Sequence, residues 1–495
     1  MKKVAFLLTL ALLLTLASSA VAQSGLPGSG WWSGETIQNV GTSDATIQVT
    51  AYDMNSTATY TASQLVGPGE FYNFIPNSFA GMPSGFQGSA VVSANQPVKA
   101  IVNVTNRQSN ELGIAGGKAA AQYQGIDGTM VDNTIYFPIA KGDSYGKTTT
   151  YYIQNAGTTA ATATATFTMK NGNVHTYTSP TIQPNQMVLF SIFDSLTYDD
   201  SVANTGKVGA VMVSSAAPLA GVVMEHLTSE NPATLAQSTR GFTSADFDTA
   251  AYAPIIKHDR FGRSTGIQVQ NVSAIPINIQ VTLVGFAGGC AGNTVVENAT
   301  NVAPGAAAIF NQYPGQTSLA ANCTASATIE TTTVGGEIVA LVSESYLTTA
   351  IPATGQSSVT SFAIPAGSAT TTVSAPLFKD DRFEKRTGLQ IQNVGAAAAT
   401  NIVATFECQG AATFTAISLP QNAVAGGAVQ FYTPSDDAGM FTGGNPFASG
   451  NVTCSVTVTA DQPIVAIANE SPIPASQGGT LAQDNNNYEG FNLAP

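Results

Sequence analysis

The sequence predicts an all-β protein, four tandem antiparallel β-sandwich units behind a signal peptide, and three observations carry that expectation. A strand ending in Gln-Asn recurs four times at nearly constant spacing. Each recurrence runs into a strand of period-two alternation, the pattern of a sheet with one buried and one solvated face. Charged residues are only 9% of the chain, against about 25% in an ordinary soluble domain. Surface helices need Glu, Lys and Arg; this chain supplies Gly, Ala, Thr, Ser, Asn and Val instead.

Residues 1–23 read as a secretory signal peptide. Lys2-Lys3 form its positive start, Val4 to Leu16 its apolar centre, and Ala20-Val21-Ala22 an A-x-A cleavage site before Gln23. No cysteine follows the apolar run, so a lipid anchor is not expected. No later apolar stretch is long enough to cross a bilayer as a helix. The expected location is extracellular, secreted or at a cell surface. The four cysteines fit an oxidising compartment, and none forms a CxxC pair.

The recurring strand reads Thr36-Ile37-Gln38-Asn39-Val40-Gly41, then Tyr152-Ile153-Gln154-Asn155-Ala156-Gly157, then Gln268-Val269-Gln270-Asn271-Val272-Ser273, then Gln390-Ile391-Gln392-Asn393-Val394-Gly395. Its glutamines are 116, 116 and 122 residues apart (154 − 38, 270 − 154, 392 − 270). Such a period signals four copies of one domain. The alternating strand follows, with Ile47, Val49 and Ala51 inward in the first copy and Ile402, Ala404, Phe406 and Cys408 in the last. Later in each copy two strands flank a tight corner, at Asn95-Gln96-Pro97, Ala216-Ala217-Pro218, Val334-Gly335-Gly336 and Asp461-Gln462-Pro463, read as a closing hairpin. Pro138, Pro254 and Pro376 each precede the next motif glutamine by 16 residues (154 − 138, 270 − 254, 392 − 376) and are read as unit ends. The units then span 25–138, 139–254, 255–376 and 377–495. Their size and roughly seven strand signals each match an immunoglobulin-like sandwich.

With these motifs stated, a resemblance can be named. The strand running into Asn-x-Gly, the alternating strand, and the hairpin with Gly88-Ser89-Ala90 and Gln96-Pro97-Val98 are similar to tandem Ig-like domains of bacterial cell-surface and adhesion-related proteins. The resemblance covers the chain after the leader. It implies an extracellular structural, adhesive or assembly role and carries over no catalytic residue.

Composition excludes some functions. The formal net charge is −13 with pI near 4.5, so nothing suits a phosphate backbone and nucleic acid is not an expected partner. His175, His226 and His258 fall in no metal or nucleophile motif, and no enzyme activity is expected. Asn39, Asn155, Asn271 and Asn393 are read as turn fasteners, because an Asx side chain satisfies loop backbone groups. Gln268, Gln270, Gln390 and Gln392 are expected to face outward as plain sheet surface.

The remaining candidates are local. Charged segments between units hold Lys257, Arg260, Arg263, Lys379, Arg382 and Arg386, expected to set the angle between domains by pairing with acidic loops of a neighbour. No cofactor is expected, although Asp194, Asp199, Asp200, Asp436 and Asp437 are oxygen donors of the kind calcium takes. Cys290 and Cys323 share the third unit, Cys408 and Cys454 the fourth; each pair is expected to bridge, the first pinning a loop and the second joining two sheets. Trp31 and Trp32 either contact a sugar or partner, or cap the open end of the first sandwich. An incomplete start and a strand-like tail at Asn487 to Pro495 suggest head-to-tail joining of copies by strand addition.

The expected function is a secreted, non-enzymatic structural or assembly protein of a bacterial cell surface, sheath, filament or matrix. Its partners would be other copies of itself or cell-surface components. An adhesin or carbohydrate-binding module array is the alternative, and accessory domains of an exported enzyme complex the second alternative.

Overall fold

A computed structural model of the chain describes residues 25–26, 31–106, 120–144, 146–192, 207–227, 236–346, 358–382, 385–409, 413–431, 438–441, 446–447, 451–473, 486–489 and 491–492. The protein is all-β, with no α-helix among the described residues.

Unit 3 shows the plan. One sheet orders Thr294–Val302, Ile277–Gly288, Cys323–Thr331, Ala250–His258 and Ile364–Pro365. The other orders Ala307–Asn311, Arg263–Asn271, Ile338–Tyr346 and Ser358–Phe362. Every pairing is antiparallel. Inward side chains of both sheets, among them Val281, Leu283, Ala327, Ile267 and Val269, make one cluster. The alternation written in the sequence is what places them there.

Strands with the same role recur. The motif strands are Trp31–Asn39, Lys147–Asn155, Arg263–Asn271 and Lys385–Asn393. Leading strands are Asp132–Lys141, Ala250–His258 and Thr370–Asp380. Closing strands are Ala120–Gln124, Ala236–Arg240, Ser358–Phe362 and Asn486–Glu489.

The segments around the Pro/Gly corner are not a hairpin. In unit 1, Gly88–Ala94 pairs with the alternating strand Ala45–Asp53, while Val98–Asn106 pairs with the motif strand. In units 2 and 4 the chain runs straight through the corner as Val208–Leu227 and Val452–Pro472, its two halves serving different partners. The corner carries the chain from one sheet to the other. Proline fits there because the chain is leaving one ladder and a missing N–H costs nothing.

The second set of prolines also differs from expectation. Pro138, Pro254 and Pro376 lie inside leading strands, at the step where each pairing shifts register. Within a sheet, a bulge is where proline is tolerated. Each leading strand pairs with strands that follow it in sequence, so the positions 138, 254 and 376 fall within strands of the unit to come. The tail is also engaged. Asn486–Glu489 pairs with Val452–Pro472, and Phe491–Asn492 pairs with the leading strand Thr370–Asp380. These described parts of the tail are strands of their own unit.

Unit 1 departs from the plan. Among the described residues it has no leading strand, and Gly88–Ala94 pairs with Ala45–Asp53 alone. Its core, built on Ile37, Ile47, Val49, Val66 and Phe74, is much smaller than its siblings'.

The units are packed together. Val339, Leu341 and Phe362 of unit 3 belong to the core cluster of unit 2. The four closing strands lie side by side in a circuit: unit 1 against unit 2, unit 2 against unit 3, unit 3 against unit 4, and unit 4 against unit 1.

Candidate functional site: repeated polar positions and joints

The motif asparagine does one job four times. Asn39 donates from Nδ2 to the carbonyls of Ser43 and Val66 at 2.8 and 2.9 Å and accepts the Gly41 N–H at 2.9 Å. Asn155, Asn271 and Asn393 repeat the pattern on Thr159 and Ile182, Ile275 and Val302, and Ala397 and Ala423. All four are buried. Each amide closes a turn and satisfies two carbonyls, so none is available to a ligand.

The motif glutamines are not plain surface. Gln268, Gln270, Gln390 and Gln392 are buried. Gln270 donates to the carbonyl of Val211 in unit 2 at 3.3 Å, and Gln392 to Ala327 in unit 3 at 3.1 Å. Their outward face is the face that meets the preceding unit. The alternation placed these residues outward correctly, but only the packing of units buries them. Gln38 in unit 1 is half-buried and bonds only within its own unit, to Gly69 at 3.1 Å.

The charged segments are hairpin turns inside units, and their charges pair within the same unit. Lys257 and Arg263 both reach Glu344, at 2.7 and 2.6 Å. Lys379 and Lys385 flank Glu470 in the same way, and Lys141 and Lys147 flank Glu225. Arg260 donates to Asn322 at 2.7 Å, Arg382 to Asn451 at 3.0 Å, and Arg386 forks onto Asp381. These pairings correct the inter-domain assignment of Lys257, Arg260, Arg263, Lys379, Arg382 and Arg386. The reason is local: a short hairpin brings both its basic ends to the same side of the crossing strand. Lys147 also bonds to the next unit, donating to Ser345 at 3.0 Å.

Burial by itself would raise the carboxyl pKa of Glu225 and Glu344. Their two cations more than reverse this and hold each at about 2. Glu470 is lowered for the same reason. Burial lowers Lys141 and Lys257, with the glutamates opposing it. The three acids escaped the sequence reading, yet a signal exists: each is the one acid of the crossing strand after its corner, within Met224-Glu225-His226, Ser343-Glu344-Ser345 and Asn469-Glu470-Ser471.

Both disulfides are formed, Cys290–Cys323 and Cys408–Cys454. The first ties the turn after the alternating strand to the start of its neighbour. The second joins residues directly opposite each other on adjacent strands of one sheet, and does not link two sheets. Inward phase was right for Cys408 and Cys454, but inward neighbours on paired strands are closer than residues across the core. Asp194, Asp199, Asp200, Asp436 and Asp437 lie outside the described residues. The buried histidines serve structure: His258 bonds the Leu319 carbonyl at 2.7 Å and His226 contacts Thr150 at 3.1 Å.

Trp31 packs at the joint of units 1 and 2, with Leu26, Val104 and Tyr123 against Tyr152, Met224 and Ala236. Trp32 is half-buried, its ring beside Gly34. Trp31 pairs with Asn106 where Lys147 pairs with Leu227, and Ser33 pairs with Val104 where Thr149 pairs with Glu225. Unit 1 therefore holds an apolar Trp–Val contact in place of the Lys–Glu–Lys cluster.

One further residue is out of place. Glu35 lies 116 residues before Tyr151 (151 − 35), so it occupies the inward position that Tyr151, Ile267 and Leu389 fill in the other units. Its Oε2 is shut from solvent with no hydrogen-bond partner among the described residues. Burial pushes its pKa up to about 7. It also raises the neighbouring Tyr123, whose own burial is the larger cause.

No protein-family model and no curated protein matches the chain. Among solved structures, a Thermotoga maritima protein is similar to 22% of the chain over 92% of its own length, at 17% identity and TM-score 0.18. A tetra-tandem repeat from the extending region of a large adhesion protein is similar over 92% of the chain and 94% of its own, at 13% identity and TM-score 0.12. A Salmonella alpha-2-macroglobulin variant is similar over 94% of the chain and 28% of its own, at 12% identity and TM-score 0.12.

Proposed function

We propose that the protein is a secreted, non-enzymatic structural or assembly component of a bacterial cell surface, sheath, filament or matrix, built from four Ig-like sandwiches. The observation that carries this reading is the use of the repeated polar residues. A four-fold catalytic or ligand site would need four-fold polar groups, and the ones this chain repeats are occupied elsewhere. The asparagines close turns, Gln270 and Gln392 bond across joints, and each buried glutamate is held by two cations of its own unit. The test is fractionation of the native source: the mature chain should be found outside the cytoplasm in a high-molecular-mass or surface-bound fraction. A monomer confined to the cytoplasm would sink it.

A second reading, carbohydrate binding, has one observation in its favour. Phe71, 63% exposed, stands opposite Gln38 on the unit 1 face that in units 3 and 4 lies under a neighbour, and Tyr72, 38% exposed, opens on the other face of the same strand. Exposed aromatic faces are what sugars stack on. A glycan array with wild type and a Phe71→Ala, Tyr72→Ala double variant separates the two readings.

A further inference from the structure

We infer that the edge of Gly88–Ala94 in unit 1 is an acceptor for a β-strand donated by a separate polypeptide, apolar at alternate positions and cationic at the position facing Glu35. The inference rests on the assembly reading above, but its test does not need that reading to hold.

The sibling units show what the position takes. Val211, Ala327 and Val456 stand opposite Phe137, Ala253 and Ala375 of their leading strands. The matching residue of unit 1 is Ala90, which faces Ala51 as Ala327 faces Leu283. Val213, Ile329 and Val458 are buried under leading strands, whereas their counterpart Val92 is only half-buried.

The ladder's phase shows which groups are free. Met54 donates to the Gln87 carbonyl, so in register Ser89, Val91 and Ser93 bond toward the alternating strand. Gly88, Ala90, Val92 and Ala94 then direct their N–H and C=O groups to the open side, since antiparallel pairs alternate. No strand among the described residues pairs with this row, and a row of this kind is a template for strand addition. Unit 2 does touch this strand, through Ser89 on the Asn185 carbonyl. The matching bond, Ser326 on Gly426 at 2.7 Å, coexists with a leading strand in unit 3, so it does not fill the strand's place.

Glu35 supplies the second observation. In unit 2 the residue at its position, Tyr151, meets the leading strand directly: its ring lies 5.1 Å from that of Phe137 and its hydroxyl donates to Ile139 at 2.6 Å. Glu35 therefore places an Oε2 without a hydrogen-bond partner among the described residues on the inward face, where by analogy with Tyr151 the third or fourth inward residue of an added strand would sit. A Lys or Arg there completes it.

The probe is a synthetic peptide copying residues 130–141, with a second version carrying Phe137→Lys, titrated onto the mature full-length chain. Both should bind, and the lysine version should bind about tenfold tighter at low salt because a desolvated charge pair is completed. Glu35→Gln should erase that advantage and leave the parent peptide unaffected. Val92→Pro should abolish binding of both, because it removes an outward N–H while sparing the pairing with Ala45–Asp53. If that variant unfolds unit 1, amide exchange on the wild-type chain decides: added peptide should slow exchange across Gly88–Ala94. No binding of either peptide, or protection falling elsewhere, overturns the acceptor. Self-association of the chain that Val92→Pro abolishes would overturn the choice of a separate polypeptide and assign the strand to a second copy.

Discussion

Unit 1 and units 2 to 4 carry the same motif strand and the same asparagine turn, yet they solve the problem of burial differently. Units 2 to 4 own a leading strand, which covers the first half of the crossing strand and delivers the lysine of a buried Lys–Glu–Lys or Lys–Glu–Arg cluster. Unit 1 shows no such strand among the described residues, and the residues that would answer it have changed in concert. Val104 stands in place of the acid, Trp31 in place of the second cation, and Glu35 in place of an inward apolar side chain. One missing strand therefore explains three substitutions. A unit of this type is specified by its partners as much as by its own alternation.

The largest test of this contrast is Glu344→Gln. It leaves Lys257 and Arg263 buried without their acid, and breaking such a cluster by removing one partner costs about 3–5 kcal/mol. Thermal unfolding should show unit 3 melting first, while Val104→Ala in unit 1 has a much smaller effect; equal effects would remove the distinction. Reduction of the disulfides comes next. The bridges span 33 and 46 residues, and loop closure of that length contributes roughly 3–4 kcal/mol each. Limited proteolysis after reduction should cut units 3 and 4 and leave units 1 and 2 as before.

The pH response should have opposite signs in the two regions. Glu225 and Glu344 have folded pKa values of about 2, below the ordinary 4.5, so the unfolded chain binds protons that the folded one refuses. Their stabilisation is present above pH 4.5 and is lost as pH falls toward 2. Glu35 is raised from 4.5 to about 7, so its folded form holds a proton the unfolded form has released. Unit 1 should weaken as pH rises from 4.5 to 7, by about 2 kcal/mol after allowance for partial solvent screening, and Glu35→Leu should flatten that slope in pH-dependent denaturation. A slope unchanged by Glu35→Leu would mean the carboxyl is solvated. The smallest effect belongs to the joints. Gln392→Ala should cost about 1 kcal/mol through its bond to unit 3, and Gln38→Ala nothing measurable by calorimetry.

Much of this was legible in the residues, and the failures share a cause. Alternation placed Ile47, Val49, Val281 and Phe406 inward, and they are inward. The Asn-x-Gly turn was readable because an Asx side chain reaches only its own loop. The glutamines read as plain surface, the charged hairpins read as pairing with a neighbouring unit, and Cys408–Cys454, rightly paired, reads as joining two sheets where it joins two strands of one. Each decision there lay between segments far apart in sequence, where period and turn chemistry carry no information. Pro138, Pro254 and Pro376 mark a bulge as well as they mark an end, and only the pairing distinguishes the two.

The sequence by itself determined the strands, their inward faces, the four-fold repeat and the turn at each Asn, because these depend on side chains within a few residues of one another. The tertiary structure alone decided that Gln270 and Gln392 meet the preceding unit, that the charges close on Glu225, Glu344 and Glu470, that the closing strands meet in a circuit, and that among the described residues Gly88–Ala94 pairs on one side only, in the unit that holds the half-buried Glu35. Those outcomes follow from which surfaces are brought into contact, and contact between distant segments is set by the packing of whole units.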